Sequence, residues 1–118
     1  MDTHITGTGL SVTLELREYF EKSVRKIEKL VPGETARLDV EFQLLSDHKT
    51  NDEFRAELLL VAPGLELRAE ERHAVLHAAI DGACEKLLQE LRKVKGKKLR
   101  LFRLEGLKFK NFLRGWRN

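Results

Sequence analysis

Residues 36–44 alternate apolar and polar side chains without a break: Leu38, Val40, Phe42 and Leu44 fall on one side, Arg37, Asp39, Glu41 and Gln43 on the other. Period two over this length predicts a strand with one face buried and one in water. Such a strand belongs in a sheet whose apolar face another layer must cover. The sequence supplies the cover on both sides. Upstream, Leu16, Phe20, Val24, Ile27 and Val31 step by four, four, three and four, the stripe of one amphipathic helix that Pro32-Gly33 ends. Ser11 or Thr13 stands where a capping side chain is wanted. Downstream, Leu76, Ile80, Ala83, Leu87, Leu91 and Val94 mark a second helix over about residues 73–95.

Two further strands lie between them. Phe54 to Val61 places Phe54, Ala56, Leu58 and Leu60 on one face, with Leu59 and Val61 making its far end apolar on both. Ala62-Pro63-Gly64 then turns the chain into Leu65 to Glu70, where Leu65, Leu67 and Ala69 alternate with charged residues. The polar stretch Ser46 to Asp52 reads as a loop, and His4 to Thr8 as a short extended start ended by Gly7-Thr8-Gly9. The order β-α-β-β-β-α predicts an α+β fold: a two-layer sandwich of a four-stranded sheet with two helices on one face.

With 118 residues there is room for one domain and a short appendage. One cysteine excludes an intrachain disulfide framework and a thiolate metal cage. No apolar stretch approaches a membrane span, and the first residues lack the pattern of a signal peptide, so the expected setting is cytoplasmic. The net charge of +3 conceals a strong asymmetry. Residues 92–118 hold eleven Lys or Arg and one acid, Glu105, whereas residues 1–91 hold eleven basic and eighteen acidic residues. An acidic body with a basic end points to a polyanion partner, nucleic acid or an anionic membrane surface, or else to a solvated helix end.

Catalytic signals are poor, and the chain reads as no enzyme. His73 and His77 have the four-residue spacing of zinc ligands, but Ala74 stands where a zincin places its glutamate and no third ligand is evident. Cys84, at the edge of the second stripe, reads as a small buried hydrophobe. No nucleophile elbow, dinucleotide loop or phosphate loop is present. The sequence therefore predicts no cofactor, no metal and no small-molecule substrate. The basic residues are better organised. Lys22, Arg25, Lys26 and Lys29 lie opposite the first helix's apolar stripe. Lys86, Lys93 and Lys97 follow one flank of the second helix, and Arg92, Lys95 and Lys98 widen that patch. Cations at helical spacing can follow a phosphate backbone, and the same residues can equally be a solvated face with pairs such as Glu18–Lys22.

Three segments resemble the ribosome hibernation-promoting factor family, also described as the ribosome-associated inhibitor or sigma-54 modulation family. They are ITGTGLSVTLELREYFEKSVRKIEKL (residues 5–30), FRAELLLVAPGLELRAEE (54–71) and LHAAIDGACEKLLQELRKVKGKK (76–98). The resemblance implies a ribosome-binding translation inhibitor. It would occupy the messenger RNA and transfer RNA channel of the small ribosomal subunit, between head and body, and so keep ribosomes inactive in hibernation. It also implies ribosomal RNA contacts for Lys26, Lys29, Lys86, Arg92, Lys93, Lys95 and Lys97, with Lys22, Arg25 and Lys98 on the same faces. About 20 residues follow Lys98, fewer than the dimerisation domain of the family's long form, so a short form, monomeric when free, is expected.

The expected division is thus a family domain over residues 1–98 and a basic, aromatic tail over 99–118. In that tail Arg103, Lys110, Arg114 and Trp116 are candidate RNA contacts, since rings stack on unpaired bases while cations hold phosphates. Two alternatives remain open. One is a double-stranded-RNA module, which a sheet with two helices on one face also suits. The other is a membrane-surface or protein-interaction module acting through the tail, whose Phe109, Phe112, Leu113 and Trp116 recur at the spacing of an interfacial helix.

Overall fold

A computed structural model describes residues 1–31, 35–46 and 53–94 in full and the backbone of residues 95–105. The expected turn at Pro32-Gly33, most of the loop after Ser46, and Lys110, Arg114 and Trp116 lie outside the described residues. Strand β1 (Asp2–Thr8) leads to helices α1 (Leu14–Ser23) and α2 (Arg25–Leu30), then to β2 (Arg37–Leu45), β3 (Glu53–Ala62), β4 (Leu65–His73) and helix α3 (Leu76–Glu105). The sheet order is β1-β2-β3-β4. β2, β3 and β4 form the antiparallel meander, and β1 pairs parallel with β2, Ile5 opposite Val40.

The alternating pattern has the predicted outcome. Leu38, Val40 and Phe42 of β2, Ala56, Leu58 and Leu60 of β3, and Leu65 and Ala69 of β4 are buried on one face. Against them pack Leu16, Phe20, Val24, Ile27 and Val31 from the first stripe and Ile80, Ala83, Leu87 and Leu91 from the second. Phe20 and Phe42 meet edge to face at 5.6 Å between ring centroids. Such contacts add to the burial that drives the layers together. Among the described residues no polar or charged side chain is buried.

Three elements differ from the expectation. The first stripe spans two helices, because the regular ladder is interrupted at Val24 (φ −96°, ψ −2°). Ser23 Oγ donates to the Tyr19 carbonyl at 3.0 Å, the backward bond by which serine bends a helix. The stripe survives because Val24 N–H still reaches the Phe20 carbonyl and Glu28 N–H the Val24 carbonyl, each at 3.0 Å. Second, His73 ends strand β4, so it shares no helix with His77 and the zinc-like spacing does not form. Its Nδ1 accepts from Val75 N–H at 3.0 Å, in the turn before α3. Third, α3 runs on past residue 95, through Gly96 and across residue 98, to Glu105.

Topology fixes where the helix ends lie. β4 runs parallel to β2 and β1, since each antiparallel step through β3 reverses the direction twice. The α1/α2 segment returns from the end of β1 to the start of β2, and α3 returns along β4. Both therefore run against these strands and parallel to one another, with their C-terminal ends at the same end of the molecule.

Candidate nucleic-acid interface

The parallel arrangement gathers charge that the sequence distributes over two distant segments. Thr13 Oγ1 caps α1 by accepting from Leu16 N–H at 3.1 Å, and Glu15 follows in the first turn. Acids at the start and lysines near the C-terminal ends complement the helix dipole. Lys22, Arg25, Lys26 and Lys29 are all exposed. Lys22 and Lys26 line a groove of about 230 Å³ whose other wall is Asp81, Cys84, Glu85 and Leu88 of α3. Arg25 leans the other way, toward the edge strand β1, beside Thr3, Ile5 and Glu28. Further along α3 stand Arg92 and Lys93, both exposed. Lys95, Lys97, Lys98 and Arg103 belong to the same helix, though their side chains lie outside the described residues.

The cations are not equivalent. Among the described residues Lys22, Arg25, Lys26, Lys29 and Arg92 form no ion pair, so their charge is available to a phosphate. Lys86 is committed. Its Nζ lies 3.0 Å from Glu71 Oε2 and donates to the Glu70 carbonyl at 3.1 Å, tying α3 to β4. Gly82 makes room for that strap: a Cβ there would come within 2.7 Å of Glu71 Cγ. The bond from Lys86 holds the Glu71 carboxyl below its ordinary range. Lys93 Nζ lies 3.4 Å from Glu90 Oε1, an exposed pair that costs little to break. Thus the flank read from the helical wheel as Lys86, Lys93 and Lys97 begins with a residue turned to the sheet edge, away from α1 and α2.

A second set of contacts joins the helices at the head of the groove. Tyr19 Oη is 2.8 Å from both carboxylate oxygens of Asp81, sharing its proton between them, which raises the Tyr19 pKa. The Tyr19 ring stacks on His77 at 4.1 Å and 14°. Cys84 sits beneath, with its thiol pushed up to about 12 chiefly by burial, so it is a packing residue and no nucleophile. Tyr19 and His77 lie 58 residues apart, and nothing local in the sequence marks them as a pair.

The opposite face of the sheet carries the contrary charge. Glu41, Glu57 and Glu70 stand abreast on β2, β3 and β4. Arg55 binds all three, with Nη1 2.8 Å from Glu41 and Nε 2.7 Å from Glu70, and its remaining nitrogen on Glu57. Leu59, expected on a partly covered outer face, is half-buried there beside His4, Thr6, Asp39 and Glu57. Among the described residues no group of three or more His, Cys, Asp or Glu could hold a metal ion, and no helix is long and apolar enough to cross a membrane.

The sequence that builds this sandwich matches a known family. The model of "Sigma 54 modulation protein / S30EA ribosomal protein" matches residues 3–99. The chain belongs to that family. Among relatives, a ribosome hibernation promotion factor of Deinococcus radiodurans is 34% identical over 92 residues, 77% of this chain and 47% of that protein. A ribosome hibernation promotion factor of Bacillus subtilis is 30% identical over 107 residues, 90% of this chain and 54% of that protein. The chain thus spans about half the length of the curated relatives it matches. Among solved structures, the Protein Y N-terminal domain of Thermus thermophilus superposes with a TM-score of 0.67 at 28% identity, covering 80% of this chain and 99% of that one. A ribosomal subunit interface protein of Coxiella burnetii shares the fold at 20% identity and a TM-score of 0.65, covering 81% of this chain and 99% of that one.

Proposed function

We propose that the chain is a non-enzymatic, ribosome-binding inhibitor of translation. It docks its helix layer on ribosomal RNA of the small subunit, occupies the channel of messenger RNA and transfer RNA, and keeps ribosomes inactive. The observation that carries this reading is a set of exposed cations without ion pairs among the described residues, Lys22, Lys26, Lys29 and Arg92 on two parallel helices with Arg25 on the neighbouring β1 side, in a chain whose family relatives are named as hibernation factors. Phosphate contacts of this kind supply affinity by releasing counterions. The carboxylate row on the far side of the sheet disfavours wrapping by RNA and leaves one face for docking. Lys93, Lys95, Lys97 and Lys98 add positive charge along α3, and Lys86 contributes least, because Glu71 holds it. Residues 1–98 form the docking domain, and the segment from 99 onward adds anchors through Arg103, Lys110, Arg114 and Trp116. The protein acts in the cytoplasm, as a monomer when free, without cofactor.

Co-sedimentation of the full chain with small subunits tests the reading, alongside binding to a naked RNA duplex and to anionic vesicles. Binding to subunits well above binding to duplex supports it. Equal affinity for the duplex favours a general double-stranded-RNA module, and binding to vesicles alone favours a membrane-surface role.

A further inference from the structure

We propose that the Tyr19–His77 stack is a ledge for one unpaired base of the bound RNA, with the adjoining phosphates held by Lys22 and Lys26; this rests on the RNA-docking reading above. The stack is built before any ligand arrives. Asp81 fixes Tyr19 through both carboxylate oxygens at 2.8 Å, and Ser23 Oγ lies 3.4 Å from the same carboxylate. The rings lie nearly parallel, so each spends one face on the other. His77 is nevertheless exposed, and an imidazole stacked on one side and open to water offers a flat surface that any base can cover. Lys22 follows Tyr19 by three residues and Lys26 by seven, about one and two turns further along the same wall. Among the described residues both are free of ion pairs. Neither carboxylate of the opposite wall forms an ion pair with these lysines. Asp81 is taken by Tyr19, and Glu85 accepts from Gln89 at 3.3 Å. A stacking surface followed by two phosphate-holding cations is the pattern of single-stranded RNA binding.

The alternative is a clamp that only joins α1 to α3. His77→Ala and His77→Trp in the full chain separate the two. The readouts are affinity for small subunits, melting temperature, and quenching of a 2-aminopurine placed inside a short single-stranded oligoribonucleotide. The ledge predicts that His77→Ala keeps its melting temperature, loses about 5- to 150-fold in affinity and abolishes the quenching, while His77→Trp retains both. Wild-type affinity and quenching in His77→Ala overturn the ledge, as does a His77→Trp variant as weak as His77→Ala. If instead the unaltered chain fails to bind subunits, the docking reading falls and takes the ledge with it.

Discussion

Arg55 is the residue on which the outer face of the sheet depends. Three glutamates in adjacent strands would repel one another, since like charges directly across a ladder destabilise it. Arg55 answers all three from a side chain only 14% exposed. Arg55→Met should lower unfolding free energy by about 1.5–3 kcal/mol in urea titrations, the range for hydrogen bonds to charged groups. The pH dependence has a definite sign. Hydrogen bonds from Arg55 and Lys86 hold the carboxyls of Glu70 and Glu71 below their ordinary value of 4.5. Groups depressed in the folded state contribute stability that is present above their unfolded value and lost as the pH falls through the folded one. Unfolding free energy should therefore be level near neutrality and fall below about pH 4.5, with a shallower fall in Arg55→Met. Cys84 gives a second test at this scale. With its thiol pushed up to about 12 by burial, it should react with a disulfide reagent at pH 8 only after denaturant is added. Rapid native labelling would contradict the packing described for α3.

At the scale of elements, the strands were legible because a half-buried strand must alternate: β2 alternates over nearly its whole length and β3 over its first half. The ends of elements were less so. The break at Val24 is silent in the pattern, since the apolar stripe passes through it; it shows in the Val24 backbone angles and in the bond from Ser23 to Tyr19. Residues Glu70 to His73 carry no apolar side chain, so nothing in the sequence separates the end of β4 from the start of α3. The lysine face of α1 and α2 could be read from a helical wheel. The role of Lys86 could not, because it depends on β4 lying beside α3. Nor could the parallel direction of the helices be read before β1 was placed beside β2. Two substitutions on α3 should therefore behave differently. Leu87 is fully buried, and Leu87→Ala should cost about 2–5 kcal/mol by opening a core cavity. Lys86→Met removes an exposed strap and should cost no more than about 1 kcal/mol, while subunit affinity stays within a few-fold of the unaltered chain. A large loss of affinity in Lys86→Met would return that residue to the RNA-facing set.

For the whole molecule, the charge separation matters more than its net +3. The sandwich turns carboxylates outward on the sheet and, among the described residues, carries cations without ion pairs on its helix layer, so docking should be oriented and electrostatic. The most direct measurement is the affinity of the full chain for small subunits across a salt series, for the unaltered protein and for Lys22→Glu with Lys26→Glu. Both lysines are exposed and off the apolar stripe, and surface changes of this kind usually shift stability by within about 0.5 kcal/mol. The unaltered chain should lose affinity in a straight line against the logarithm of salt, by about 10³–10⁵ between 50 and 200 mM if 6–10 phosphates are contacted. The double variant should melt as the unaltered chain does, yet bind far more weakly at low salt and with a shallower slope. Unchanged binding by the double variant, or an affinity indifferent to salt, would contradict the helix layer as the RNA-docking face.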